Sequence, residues 1–92
     1  MESVRAHVFV TGQVQGINFR AACRDQARQV KVEGWVRNLP DGRVEAVFEG
    51  PRGAVQRMVS WCYSGPVNAK VDQVSVDWEE PSGKEGPFGI VW

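Results

Sequence analysis

Residues 4 to 11 alternate strictly, with Val4, Ala6, Val8 and Val10 on one side and Arg5, His7, Phe9 and Thr11 on the other. A period of two predicts a half-buried strand. Beyond a loop the period lengthens: Phe19, Cys23, Ala27 and Val30 recur at helical spacing, with Arg24, Asp25, Arg28 and Gln29 filling the other face, which predicts an amphipathic helix over about 21–30. A second strand, expected over about 34–39, runs into NLPDG, where Pro40 and Asp41 suit a tight turn and Gly42 its left-handed position. A third strand follows, carrying Val44, Ala46 and Phe48 on one face and Glu45, Val47 and Glu49 on the other, so the two strands form a hairpin. Gly50, Pro51 and Gly53 break that pattern. Val55, Met58, Val59 and Cys62 then mark a second helix that stops near Ser64-Gly65-Pro66. A last long strand carries Val71, Val74, Val76 and Trp78, and the change of register between Val71 and Val74 predicts a bulge. The tail PFGIVW is expected to add a short edge strand.

The order β-α-β-β-α-β is that of a ferredoxin-like α+β sandwich, an antiparallel sheet with both helices on one face. A chain of 92 residues can bury one core but not two, so residues 1–92 are read as a single domain. Apolar residues at 42% and charged residues at 24% place it among ordinary globular chains rather than disordered ones. Eleven basic residues balance eleven acidic ones, which leaves no global field to recruit nucleic acid or an anionic membrane. Any anion site must therefore be local. No apolar run approaches the ~18 residues of a membrane-spanning helix, and MESVRAHVFV lacks the basic-then-apolar order of a secretory leader, so a cytoplasmic location is expected. Cys23 and Cys62 form no CxxC and have no companion histidines at ligand spacing, which argues against a disulfide framework or a zinc site. Both fall on apolar helix faces and are expected to be buried, reduced thiols.

The segment GQVQGINFR, Gly12 to Arg20, asks for more than a connection. It ends in a cation where a helix begins, although the positive end of the helix dipole favours carboxylates there and makes arginine slightly costly. A bound anion would remove that cost. Glycines let backbone N–H groups converge, and a guanidinium supplies a fork of donors matched to phosphate oxygens. The loop lacks both the GK[ST] ending of a nucleotide-binding P-loop and the GxGxxG of a dinucleotide site. On residue types alone, a plain strand-to-helix turn with its arginine in water fits as well.

Taken together at their spacing, GQVQGINFR (12–20) and GWVRNLPDGRVEAVFEG (34–50) resemble the acylphosphatase family, and the chain has the length of a stand-alone member. The resemblance implies hydrolysis of a carboxyl-phosphate mixed anhydride to carboxylate and phosphate, without metal or cofactor. It places the motif arginine at Arg20, binding the phosphoryl group with the backbone amides of Gln15, Gly16, Ile17, Asn18, Phe19 and Arg20. It places the motif asparagine at Asn38, holding the attacking water. An acyl phosphate already carries a good leaving group, so positioning and charge stabilisation can suffice without an acid, a base or a covalent nucleophile. His7, the one histidine, is accordingly expected as a solvated residue of the open sheet face.

Three positions depart from the family pattern. Ile17 stands where valine is usual, Asn18 where an aromatic or glycine is common, and Lys31 where a glycine closes the first helix. Asn18 either contacts the acyl side of the substrate or faces water. Among the tryptophans, Trp35 and Trp78 are expected to pack in the core or on the sheet, Trp61 to be partly exposed and Trp92 to pin the edge strand. The expected partners are a small acyl phosphate and its phosphate product, with no nucleic acid, no membrane and a monomeric protein. Two other readings stay open: an RNA-binding module that stacks bases on a ferredoxin-like sheet, and an anion sensor that keeps the loop without turnover. Zero net charge and the lack of an aromatic RRM strand signature weigh against the first.

Overall fold

The computed structural model describes residues 2–92. Seven elements follow one another: β1 (Ser3–Gln13), α1 (Phe19–Val30), β2 (Glu33–Asn38), β3 (Val44–Pro51), α2 (Arg52–Ser64), β4 (Lys70–Glu79) and β5 (Gly89–Ile90). The sheet order is β4-β1-β3-β2-β5. Its first four strands pair antiparallel, as the ferredoxin-like pattern requires. The tail does add an edge strand, but β5 runs parallel to β2, so the complete sheet is mixed rather than wholly antiparallel.

Both helices lie on one face. The even-numbered residues of β1, Val4 to Val10, meet Cys23 and Ala27 of α1 and Val55, Met58 and Cys62 of α2 in a single core. Burying each of the larger of these side chains stabilises the fold by roughly 1.5–3 kcal/mol. The helices begin earlier than periodicity indicates, α1 at Phe19 and α2 directly after Pro51. At the far end of α1, Lys31 takes the left-handed conformation (φ 64°) without glycine's freedom, and its N–H and that of Val32 close on the Arg28 and Ala27 carbonyls. Cys23 and Cys62 are buried and unbridged; burial pushes the Cys62 thiol up to about 12 and that of Cys23 well above its ordinary value.

The face without helices is less open than its alternation implies. Glu45, Val47 and Glu49, on the outer side of the central strand β3, are almost as buried as the core. Arg5, His7 and Arg37 reach over them from the neighbouring strands, and the segment after β4 folds back across Glu49. Glu49 accepts hydrogen bonds from Arg5 Nη1 (2.9 Å) and from the backbone of Ser82 (3.0 Å) and Gly83 (2.8 Å). Arg5 also donates to Glu79 and Glu85. His7 is not a solvated bystander: its Nε2 donates to Glu45 at 2.6 Å and its Nδ1 to Glu79 at 2.9 Å, while Arg37 donates to Glu45 from the other side. Burial opposes protonation of His7, but the hydrogen bonds to Glu45 and Glu79 outweigh it and raise its pKa. Burial likewise opposes the charged form of Glu45, and the bonds from His7 and Arg37 outweigh it and lower its pKa.

Protonation of His7 therefore supports the fold fully below its ordinary pKa of 6.5, and that support is lost as pH rises through the raised folded value. The carboxylates contribute above their ordinary 4.5 and lose that contribution as pH falls through their lowered values. The network is thus strongest between these limits. In thermal melts, the gap in stability between wild type and His7→Gln should narrow as pH is raised from about 6 to about 9. A gap that stays constant over this range would show that His7 titration is not coupled to folding.

Candidate active site

The site begins where β1 leaves the sheet. Pairing of β1 with β4 shifts between Thr11 and Gly12, leaving Asp72 as the extra residue of a bulge in the stretch where the Val71-to-Val74 register change predicts one. A Cβ on Gly12 would run into the Lys70 carbonyl, so the close approach of the two backbones requires glycine here.

The loop that follows is held from below and turned from above. Val14 and Phe19 are buried, Phe19 against the Trp61 ring with centroids 5.1 Å apart, and Ile17 packs on the core between them. The intervening Gly16 (φ 76°) and Asn18 (φ 68°) both take left-handed backbone and are exposed. Alternating handedness turns successive N–H groups toward one side, the geometry of an anion-binding nest. Asparagine is among the few non-glycine residues that tolerate this conformation. Asn18 also serves as the N-cap of α1, its carbonyl accepting from the Ala22 N–H at 3.0 Å, while its side chain makes no capping bond. No acidic residue occupies the first turn. The first N–H groups of the helix thus keep their positive character without a side-chain counter-charge.

Gln15 points the other way. Its Nε2 donates to the carbonyls of Leu39 (2.8 Å) and Arg43 (2.9 Å), joining the loop to the β2–β3 turn. That turn is closed by Leu39 N–H to the Arg43 carbonyl (2.8 Å) and Gly42 N–H to the Leu39 carbonyl (3.1 Å). Asn38 stands immediately before it, paired with Val44 and on the helix-covered side of β2. Its Oδ1 is buried, and no described residue donates a hydrogen bond to it. Leaving a buried acceptor unsatisfied costs roughly 1–3 kcal/mol, so this atom favours any donor that enters.

Arg20, Asn38, Gly16 and Asn18 meet around one cavity of about 230 Å³, completed by Val14, Ala21 and Ile90. Of the residues expected in the phosphate cradle, Gln15, Ile17 and Phe19 direct their side chains to the turn or the core, which leaves only their main chain for a ligand. Asn18 lines the cavity and is also exposed to water. Arg5, Arg24, Arg37, Arg43 and Arg52 each pair with a carboxylate. Arg20 has no such partner among the described residues; its guanidinium carbon instead sits 4.5 Å from the centre of the Trp92 ring. Trp92 therefore meets Arg20 rather than fixing the edge strand. Ile90 lines the cavity, and no local pattern marked it for this place, because a parallel edge pairing far along the chain brings it there. A larger cavity, about 300 Å³, opens at the opposite end of β1 but is lined by Glu2, Glu79 and Glu80, a poor setting for an anion. No group of three His, Cys, Asp or Glu side chains among the described residues is arranged to hold a metal ion.

Residues 6–90 match the family model described as Acylphosphatase. An acylphosphatase of Chloroflexus aurantiacus is 67% identical over 92 residues, the whole of both chains. One from Roseiflexus sp. is 65% identical, covering all of this chain and 99% of its own. Among solved structures, the crystal structure of acylphosphatase from Bacillus subtilis superposes with a TM-score of 0.92 at 36% identity, over 97% of this chain and 99% of that one. The acylphosphatase structure from Coxiella burnetii gives 0.91 at 32% identity, over 97% and 93%.

Gln15→Ala removes both hydrogen bonds between loop and turn while leaving the two carbonyls other donors. Its unfolding free energy in urea should fall by about 1–3 kcal/mol with an unchanged m-value. Stability within ~0.5 kcal/mol of wild type would show that the strut carries no net energy.

Proposed function

Since this chain belongs to the acylphosphatase family, we propose that it hydrolyses small acyl phosphates to carboxylate and inorganic phosphate, with Arg20 and the loop amides binding the phosphoryl group and Asn38 positioning the water. The observation that carries the proposal is the buried, unpartnered Asn38 Oδ1 on the same cavity as the carboxylate-free guanidinium of Arg20.

The chemistry follows from these two groups. A phosphoryl dianion at the head of α1 meets the helix dipole and the amides of residues 15–20, which the folded backbone holds in place, together with the guanidinium fork. A water donating a hydrogen bond to Asn38 Oδ1 directs its free lone pair at phosphorus. Attack forms the new P–O bond; the P–O bond to the acyl group breaks, and its electron pair leaves with the carboxylate. The proton lost by the water passes to a phosphate oxygen or to solvent. A carboxylate leaving group needs no general acid, which agrees with a cavity whose lining has no titratable side chain other than Arg20. The proposal extends to a monomeric, cytoplasmic enzyme without a nucleic-acid partner; balanced charge supports the last of these. Among the described residues, no helix is long and apolar enough to cross a membrane.

Benzoyl phosphate hydrolysis with EDTA present is the direct test, and the rate should survive the chelator. Loss of activity that returns only with Mg²⁺ or Zn²⁺ would overturn the mechanism, and phosphate binding without turnover would make the protein an anion sensor.

Arg20→Ala should raise KM, lower kcat by roughly 10²-fold or more and abolish protection by phosphate against thermal unfolding. Asn38→Ala should behave differently. An amide suits a neutral water better than a dianion, so kcat should fall by roughly 10²-fold while phosphate affinity changes by less than about threefold. A folded Asn38→Ala protein with wild-type turnover would refute water positioning, and parallel loss of phosphate binding would make Asn38 a second anion ligand.

A further inference from the structure

Arg20 reaches the cavity on a long, flexible side chain, and no carboxylate among the described residues holds it in place. What it does meet is Trp92, whose ring centre lies 4.5 Å from the guanidinium carbon, well inside the range of a cation–π contact. The indole owes its position to the chain behind it. β5 pairs with β2 through Gly89 and Ile90, and the Val91 N–H donates to the Val36 carbonyl at 2.9 Å. Phe88 is buried and stacks on Phe48 of the central strand, centroids 5.5 Å apart, and Arg28 of α1 donates to the Phe88 carbonyl. The backbone leading to Trp92 is thus tied to the sheet and to the helix that carries Arg20. Trp92 as a residue is 92% exposed. Such exposure gains little from burial, so fold stability does not account for the indole's place.

We propose that Trp92 is a positioning residue for phosphoryl binding, holding the Arg20 guanidinium by one face so that its donor edge is already turned to the cavity. This deepens the function proposed above and rests on Arg20 being the anion ligand. A ring holding the cation through its π face leaves N–H groups for a ligand, whereas a carboxylate partner would occupy them. An arginine ordered before binding spares the cost of ordering it on binding, and an unordered one binds more weakly in proportion to the time it spends elsewhere. Because Arg20 grips the phosphoryl group in both ground and transition states, loss of the ring should act on KM and on phosphate affinity rather than on kcat.

The experiment measures inorganic phosphate affinity by calorimetry, together with steady-state kinetics on benzoyl phosphate, for Trp92→Ala, Trp92→Leu and Trp92→Tyr. Trp92→Ala and Trp92→Leu should each raise the phosphate Kd and KM by about three- to fivefold, equivalent to about 0.6–1 kcal/mol, with kcat within about twofold of wild type and Tm unchanged. Trp92→Tyr should restore most of the loss, since it restores a π face; rescue by leucine instead would replace the cation–π account with simple packing. In the Arg20→Ala background, Trp92→Ala should have no further effect on phosphate affinity, as coupled partners require. Unchanged phosphate affinity in Trp92→Ala, or effects that add in the double variant, would overturn the inference. If Arg20→Ala itself leaves phosphate binding intact, the assignment of Arg20 as anion ligand fails instead, so the two failures are distinguishable.

Discussion

The structure depends on the strict burial of alternate residues along β1. Val4, Ala6, Val8 and Val10 all face the helices, and the same parity carries through Gly12 to the buried Val14. Because side chains in a strand point alternately to opposite faces, a slip of one residue would expose every one of these valines. This locks the register of β1 against both β3 and β4, and hence the point at which the chain leaves the sheet. From there Val14, Ile17 and Phe19 extend the inward set into the loop, and Gly16, Asn18 and Arg20 are left facing the cavity. The path of the loop backbone that carries the anion-facing groups is thus set first by hydrophobic packing, and the contacts of Gln15 and Trp92 act on a chain already placed by it.

Electrostatics then makes the site local. The chain has no net charge, and most of its arginines near the sheet are neutralised by nearby carboxylates. A positive region survives where backbone dipoles, a helix start without acidic residues and one carboxylate-free guanidinium coincide. The coincidence of these groups at one helix end gives an anion a favoured location on a chain without net charge.

Much of this was legible in the sequence wherever it depended on local period. The strands and helices followed from alternation and helical spacing, and the bulge from one break in register. The loop was marked as a candidate anion site by its own residue types, which a plain turn fitted as well, and Asn38 was marked only by the resemblance of the two motifs taken together; what the structure adds is that Asn38 and Arg20 line one cavity. What escaped prediction depends on partners distant in the chain. The burial of Glu45, Val47 and Glu49 needs Arg5, Arg37 and the segment around Ser82, 30 or more residues beyond β3. His7 looked solvated because Glu45 and Glu79 cannot be seen beside it until β1 is flanked by β3 and β4. Lys31 shows the opposite case: local hydrogen bonds from its own N–H and that of Val32 close α1 through a left-handed cap that its side chain disfavours.

The two-residue strand β5 has an effect that reaches past the cavity it helps to wall. A sheet ends in rows of unpaired backbone groups that invite pairing with other molecules. β5 covers the β2 side of the sheet with a strand of only two residues, too short to serve as a template itself. On the other side β4 carries Lys70, Asp72 and Asp77 together with its bulge, which are known deterrents to edge pairing. One wall of the site and one guard against aggregation are therefore the same stretch of chain. Freeing β5 from β2 would open the cavity at Ile90 and bare the β2 edge in the same step.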